Sequence, residues 1–201
     1  MLLLASQSPR RRELLDQIRV THRLVTVTVD ETPLAGEKPG DYAIRLALDK
    51  ARQGRRISGG TRPVLGADTV VWRAGRIFGK PNNRAEGLAM LAALSDGTHE
   101  VMTAVALIWD GHERVRLSTS RVRFRALTPA EIAAYWETGE PRDKAGAYAI
   151  QGRGALFLAH LEGSYSGVMG LPLFETGELL AEAGLLSWAG MNSTHQDACH
   201  Q

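Results

Sequence analysis

The chain opens on Leu2-Leu3-Leu4-Ala5, a fully apolar run. It is followed at once by Ser6-Gln7-Ser8-Pro9 and the basic Arg10-Arg11-Arg12. A short apolar run bounded by turn-forming residues reads as a buried strand. Ser8 is a good N-cap and Pro9 suits the first helical position. A strand, a tight loop and a helix N-terminus therefore fall within the first dozen residues.

The rest of the chain repeats that grammar. His22 to Asp30 alternates apolar and polar residues and predicts a half-buried strand. Asp41 to Arg56 carries Ala43, Ala47 and Ala51 on one stripe and predicts a helix. Val64 to Trp72 predicts a strand interrupted at Gly66-Ala67-Asp68-Thr69, and Ala74-Gly75 turns it into a hairpin ending near Phe78. Arg84 to Leu94 reads as a helix. Val101–Trp109 and Arg114–Arg125 read as strands joined at Asp110-Gly111. Thr128-Pro129-Ala130-Glu131 has capping-box spacing. Short strands are expected at Tyr148–Ile150 and Leu156–Leu161, and a helix at Leu173–Ala183. Early alternation followed by antiparallel hairpins gives an α/β, or mixed α+β, architecture around one sheet. A single domain is expected over residues 1–188, with a polar tail over 189–201.

Composition narrows the function classes. The chain has 201 residues, 44% hydrophobic and 23% charged, with a formal net charge of +2. Such a chain has ample apolar surface for a core, and its charge excess is too small to imply nucleic acid or a membrane. The single cysteine, Cys199, excludes an internal disulfide framework and a cysteine-built metal site. It points to a reducing, cytoplasmic setting. No apolar run is long enough to span a bilayer.

Several segments carry chemistry. A helix N-terminus presents free N–H groups and a positive dipole end, so Ser6, Ser8, Arg10 and Arg11 make a phosphate cradle. The same residues would also serve as an ordinary cap and a solvated basic turn. Asp68, set in an apolar strand, reads either as a carboxylate satisfied at a bulge or as one at the floor of a cleft, holding a metal or activating water. Lys50, Lys80, Asp30 and Glu31 are unremarkable alone. Together with Asp68 and the arginines they form the inventory for metal-assisted attack on a polyphosphate. In Asp143-Lys144-Ala145-Gly146-Ala147-Tyr148-Ala149-Ile150-Gln151-Gly152, the glycines suit close backbone approach. Gln151 offers a donor and an acceptor to a base edge, or is merely exposed in a turn.

Taken in order, these segments resemble the Maf nucleotide pyrophosphatases. The matching stretches are Leu4–Arg11, Lys50-Ala51, Gly66–Val71, Gly79-Lys80-Pro81, Asp143–Tyr148, Ile150-Gln151-Gly152, Gly163-Ser164-Tyr165 and Gly170-Leu171-Pro172. They span about residues 2 to 180. The resemblance implies a fold similar to that of inosine triphosphate pyrophosphatases. That fold has a central mixed, twisted sheet flanked by helices, with two lobes around a nucleotide-binding groove. It implies hydrolysis of a nucleoside triphosphate to the monophosphate and pyrophosphate, with Asp68 as proton acceptor. Glu31, Lys50 and Lys80 match positions lining the catalytic groove, and Ser8, Arg10 and Arg11 the phosphate loop. A divalent cation, Mg²⁺ or Mn²⁺, would be held by Glu31 and Asp68. Arg10, Thr69 and Gln151 match the branch acting on dTTP and UTP, with Thr69 and Gln151 expected on the pyrimidine edge. Gln7 stands where glycine or threonine is common in the family. The alternatives within the resemblance are a pyrophosphatase for 7-methyl-GTP or another modified nucleotide, and a non-catalytic nucleotide-binding regulator of septum formation. No stable nucleic-acid partner and no membrane are expected, and a homodimer is left open.

Overall fold

The computed structural model describes residues 1–186. The expected boundary at 188/189 and Cys199 lie outside them. Seven strands form one sheet: β1 (Leu2–Ala5), β2 (His22–Leu24), β3 (Val64–Arg73), β4 (Arg76–Phe78), β5 (Gly97–Trp109), β6 (His112–Phe124) and β7 (Leu158–Glu162). Their order is β2-β1-β3-β5-β6-β7, with β4 on the same edge of β3 as β1. β1 runs parallel to β2 and β3, and every other pairing is antiparallel. Six helices cover the sheet: α1 (Pro9–Gln17), α2 (Pro39–Ile57), α3 (Arg84–Leu94), α4 (Pro129–Glu137), α5 (Tyr165–Met169) and α6 (Leu173–Glu182). The mixed α/β architecture expected from the sequence is what the chain adopts.

The edge of β3 is what makes a site. β1 pairs with Val64, Leu65 and Gly66, and β4 pairs with Val71, Trp72 and Arg73. Between those partners the edge of β3 at Ala67–Val70 has no neighbouring strand. This opening lies at the carboxyl end of β1, where ligands enter open α/β sheets.

Period-two alternation then sorts β3's side chains. On one face Leu65 and Ala67 join a core with α1 and α6, and Val71 joins a second core with α3 and α4. Thr69 is the polar step between them, and its register partner Thr103 plays the same part on β5 between Val105 and Val101. On the opposite face, Val70, Ala104 and Ala106 pack against Ala43, Ala47 and Ala51 of α2. The alanine stripe lets α2 come very close to β3. A Cβ on Gly66 would stand 2.3 Å from the Ala47 carbonyl oxygen, so only glycine fits there.

Four expectations are corrected. β3 is not interrupted at Gly66–Thr69 but runs unbroken to Arg73. β2 stops at Leu24 rather than Asp30, because β1 is only four residues long and supplies no further partner. The alternation beyond it is still real, since Val25 and Val27 pack on Leu3, Ala5 and Val64. Tyr148–Ile150 is not a strand: it follows a 3₁₀ turn at Ala145–Ala147, and the Ala149 N–H is bonded to the Tyr135 hydroxyl. Leu156 and Phe157 end a 3₁₀ turn at Arg153–Phe157 before β7 begins at Leu158. The helix α5 had no sequence forecast. Ser164 caps it by accepting from the Gly167 N–H, and Gly170 ends it with φ +119°.

Candidate active site

A groove of about 680 Å³ opens at the unpaired edge of β3. It is lined by Ser6–Arg11, Glu31, Tyr42, Lys50, Asp68, Thr69, the β4 end with Lys80, and the 143–151 turn with Gln151. Asp68, Glu31, Lys50, Lys80, Ser8, Arg10, Arg11, Thr69 and Gln151 all lie on this one groove; Asp30 does not, and its carboxylate accepts from the Thr32 N–H instead. Five of its lining residues are Lys or Arg (Arg10, Arg11, Lys50, Lys80, Lys144) and three are carboxylates (Glu31, Asp68, Asp143). The volume suits a nucleotide, and the cationic excess suits a polyphosphate.

Asp68 projects from β3 toward α2. It is 8% exposed, and its Oδ1 lies 2.6 Å from Lys50 Nζ. The same ammonium lies 2.7 Å from Glu31 Oε1, so Lys50 bridges the two carboxylates. Burial raises the Asp68 carboxyl above its ordinary range, against the opposing pull of Lys50 and Arg11. For Glu31 burial also pushes upward, but Lys50, Lys80 and Arg11 outweigh it and hold the carboxyl below its ordinary range. Lys80 is exposed at the groove rim.

The loop bearing Glu31 is tied to α2 in two ways. The Tyr42 hydroxyl donates to the Glu31 carbonyl at 2.8 Å. Arg45 forks onto Glu37 at 2.6 and 2.8 Å and donates to the Thr32 carbonyl. Burial and the charges of Asp68 and Glu31 push the Tyr42 phenol up to about 12.

In the expected phosphate loop the hydrogen bonds fall on other atoms than the residue types suggested. Ser8 is the N-cap of α1, but its side chain makes no capping bond. Instead the Ser6 hydroxyl accepts from the Ser8 N–H at 3.1 Å and from Arg11 Nη1 at 3.2 Å. Arg11 is buried, and burial holds its guanidinium below its usual range. Its Nε donates to the Gly170 carbonyl at 2.7 Å and its Nη2 to the Thr69 hydroxyl at 3.3 Å. Three of its five N–H groups are thus spent on holding it, and two remain for a ligand. Arg10 reaches across the groove to Asp143 at 3.1 Å, and Lys144 meets the other oxygen of that carboxylate at 2.6 Å.

Thr69 has less freedom than the sequence implied. Thr103 gives its hydroxyl proton to the Gly167 carbonyl at 2.7 Å. The same Thr103 hydroxyl is also the donor toward the Thr69 hydroxyl at 3.0 Å, so its one proton is shared. With Arg11 also donating to it, both Thr69 lone pairs are met within the protein and its own proton is what it can offer a ligand. Gln151 is exposed on the groove, and its side chain makes no hydrogen bond among the described residues. Tyr42 and Thr103 escaped the sequence reading, and Gly170 stood in it only as part of a matching stretch, without a role. A lone threonine midway along apolar β5 was the only available signal for Thr103.

The two carboxylates bridged by Lys50 suit a hard divalent cation, because such ions take one or two carboxylates and complete their shell with substrate phosphate oxygens and water. No group of three or more His, Cys, Asp or Glu side chains converges among the described residues. A cation here would therefore depend on the substrate for most of its ligands. No helix among the described residues is long and apolar enough to cross a membrane.

The chain has relatives among known proteins along nearly its whole length. The Maf-like protein family matches residues 1–183. A relative from Alkalilimnicola ehrlichii named dTTP/UTP pyrophosphatase is 55% identical over 186 residues, covering 90% of this chain and 92% of its own length. Relatives of the same name from Methylococcus capsulatus and Nitrosomonas europaea are 53% and 49% identical, each match covering 92% of this chain and 91% and 95% of the relative. A nucleoside-triphosphatase/dITP/XTP pyrophosphatase structure from Mycobacterium abscessus aligns at 21% identity and a TM-score of 0.40, covering 69% of this chain and 94% of its own. The chain belongs to the Maf family.

Proposed function

We propose that this chain hydrolyses dTTP and UTP between the α- and β-phosphates, releasing the nucleoside monophosphate and pyrophosphate. The observation that carries the reading is the Lys50-bridged pair of Asp68 and Glu31 facing the Arg10–Arg11 loop across one nucleotide-sized groove. The names of the relatives support the same substrates.

Asp68 takes the proton of the attacking water. Burial raises its basicity above that of an ordinary carboxylate, as a general base requires. The water oxygen bonds to the α-phosphorus, the bond from α-phosphorus to the bridging oxygen breaks, and pyrophosphate leaves with the electron pair. Arg11, with two uncommitted N–H groups, and Arg10 and Lys80 offset the charge growing on that leaving group. Lys50 keeps Asp68 and Glu31 in register. Those two carboxylates would hold a divalent cation, Mg²⁺ or Mn²⁺, whose charge polarises the phosphoryl oxygens when it is bound.

Base choice follows from hydrogen-bond polarity. The Thr69 hydroxyl proton suits the O4 carbonyl of thymine or uracil and meets no acceptor in the 4-amino group of cytosine. The Gln151 amide supplies a donor and an acceptor for the carbonyl-bearing edge. Loss of such a matched contact leaves polar groups unpaired and discriminates strongly.

The test is pyrophosphate release with Mg²⁺ or Mn²⁺ from dTTP, UTP, CTP, ATP, GTP and 7-methyl-GTP. Release from dTTP and UTP, abolished in Asp68→Asn, is expected. Release from 7-methyl-GTP alone would keep the chemistry and overturn the base reading. No release by folded protein would return the chain to a binding role.

A further inference from the structure

The 140–154 segment is irregular, yet it carries six residues that line the groove, Asp143, Lys144 and Gln151 among them. One side chain outside the groove lining gathers several of its hydrogen bonds. Glu140 Oε1 accepts from the Tyr135 hydroxyl at 2.5 Å and from the Gly154 N–H at 3.1 Å. Glu140 Oε2 accepts from the Arg153 N–H at 3.0 Å, and the Glu140 carbonyl accepts from Lys144 Nζ at 2.8 Å. The Tyr135 hydroxyl in turn accepts from the Ala149 N–H at 3.0 Å. Gln151 is thus held from before, through Ala149, and from after, through Arg153 and Gly154. Gly152 lies against the same carboxylate, where a Cβ would stand 2.3 Å from Glu140 Oε2.

We infer that Glu140 is a positioning residue for base selectivity: it fixes the turn that presents Gln151 without touching the substrate. This rests on the reading of Gln151 as a base contact. A carboxylate is suited to the task because it only accepts, and the three groups that meet it all donate. A carboxamide at the same place would turn one acceptor into a donor facing those donors, so Glu140→Gln releases the turn without changing side-chain size. Asp68, Lys50 and Glu31 lie on β3, α2 and the 30–37 loop, and Arg11 on α1, none of which Glu140 touches; Arg10 meets the segment only through Asp143.

The experiment measures kcat and KM for dTTP, UTP, CTP and GTP in four variants: Glu140→Gln, Gly152→Ala, Gln151→Ala and the double variant Glu140→Gln/Gln151→Ala. Glu140→Gln is expected to raise KM for dTTP and lower its preference over CTP by about tenfold, the scale of one lost polar contact to the base. Its kcat on dTTP stays within about threefold, because the transition-state contacts are intact. Gly152→Ala, which displaces the carboxylate from the other side, gives the same pattern and decides the matter should Glu140→Gln fail to fold. The double variant loses no more preference than Gln151→Ala alone. A uniform fall in kcat on every substrate, with preference unchanged in Glu140→Gln and Gly152→Ala but reduced in Gln151→Ala, would overturn the inference. Unchanged preference in Gln151→Ala would instead overturn the base reading beneath it.

Discussion

Acid sensitivity of this fold is expected to come from His99. That residue sits on β5, 2% exposed, edge-on to Phe124 at 4.9 Å and to Tyr148 at 5.4 Å. Its Nε2 lies 2.9 Å from the Tyr148 hydroxyl, and its Nδ1 has no partner. Burial, reinforced by the positive charge of Arg73 on β3, pushes its imidazole down to about 3. In the unfolded chain the same group titrates near ~6.5. Between those values the unfolded state binds one more proton than the folded state, so stability falls as pH drops through that window. The slope approaches about 1.4 kcal/mol per pH unit, and going from pH 7.5 to 4.5 removes about 2.5 kcal/mol. For a chain of this size that corresponds to roughly 5–10 °C in Tm. His99→Gln keeps a hydrogen-bonding group for Tyr148 and removes the titration. Urea unfolding of both proteins from pH 4.5 to 7.5 isolates the effect, since the carboxylates common to both cancel. The wild-type advantage at neutral pH is expected to shrink by about 2.5 kcal/mol at pH 4.5. Parallel stability curves would refute the reasoning. Because Tyr148 lines the groove, nucleotide binding should weaken over the same window.

Three further outcomes follow from the geometry. Gly66→Ala places a methyl against the Ala47 carbonyl and the Ala51 N–H of α2, and is expected to cost about 3 kcal/mol in urea unfolding. It should also lower kcat/KM, since Lys50 rides on that stretch of α2. Glu37→Gln cuts the fork from Arg45 that pins the loop bearing Glu31, and the Mg²⁺ needed for half-maximal activity should rise by roughly threefold or more in a metal titration. Asp143→Asn frees Arg10 from its partner across the groove; steady-state kinetics should show KM for the nucleotide falling about two- to threefold with kcat unchanged, whereas a rise in KM would mean the pair helps binding.

Local signals carried the elements whose order is set locally. Leu2–Ala5 before Ser8-Pro9 specified β1 and the start of α1, and the Thr128–Glu131 spacing produced the capping box seen at α4. Arg84–Leu94 matched α3 end to end because Asn83 caps it through the Glu86 N–H. Where a tertiary partner decides, the local pattern misled. Residues 25–30 alternate because one side packs on β1 and β3, but a ladder needs a partner strand and β1 ends at Ala5. Tyr148–Ile150 is apolar because it is buried, and its backbone turns to Tyr135 for a hydrogen bond rather than to a neighbouring strand. The site was legible as a set of residue types and only partly as a geometry. Asp68 stood out as a carboxylate in an apolar strand, yet its pairing with Lys50 needs the close approach of α2 that Gly66 permits. The commitment of Thr69 to Arg11 and Thr103 depends on cross-strand register, which no short window of sequence contains.

The central claim is water attack at the α-phosphorus with Asp68 taking the proton. Turnover of dTTP in ¹⁸O-labelled water, with mass analysis of both products, tests it directly. The account predicts one ¹⁸O in dTMP, none in pyrophosphate, and no labelled product from folded Asp68→Asn. Label in pyrophosphate, release of dTDP with inorganic phosphate, or undiminished labelling by the Asp68 variant would contradict it.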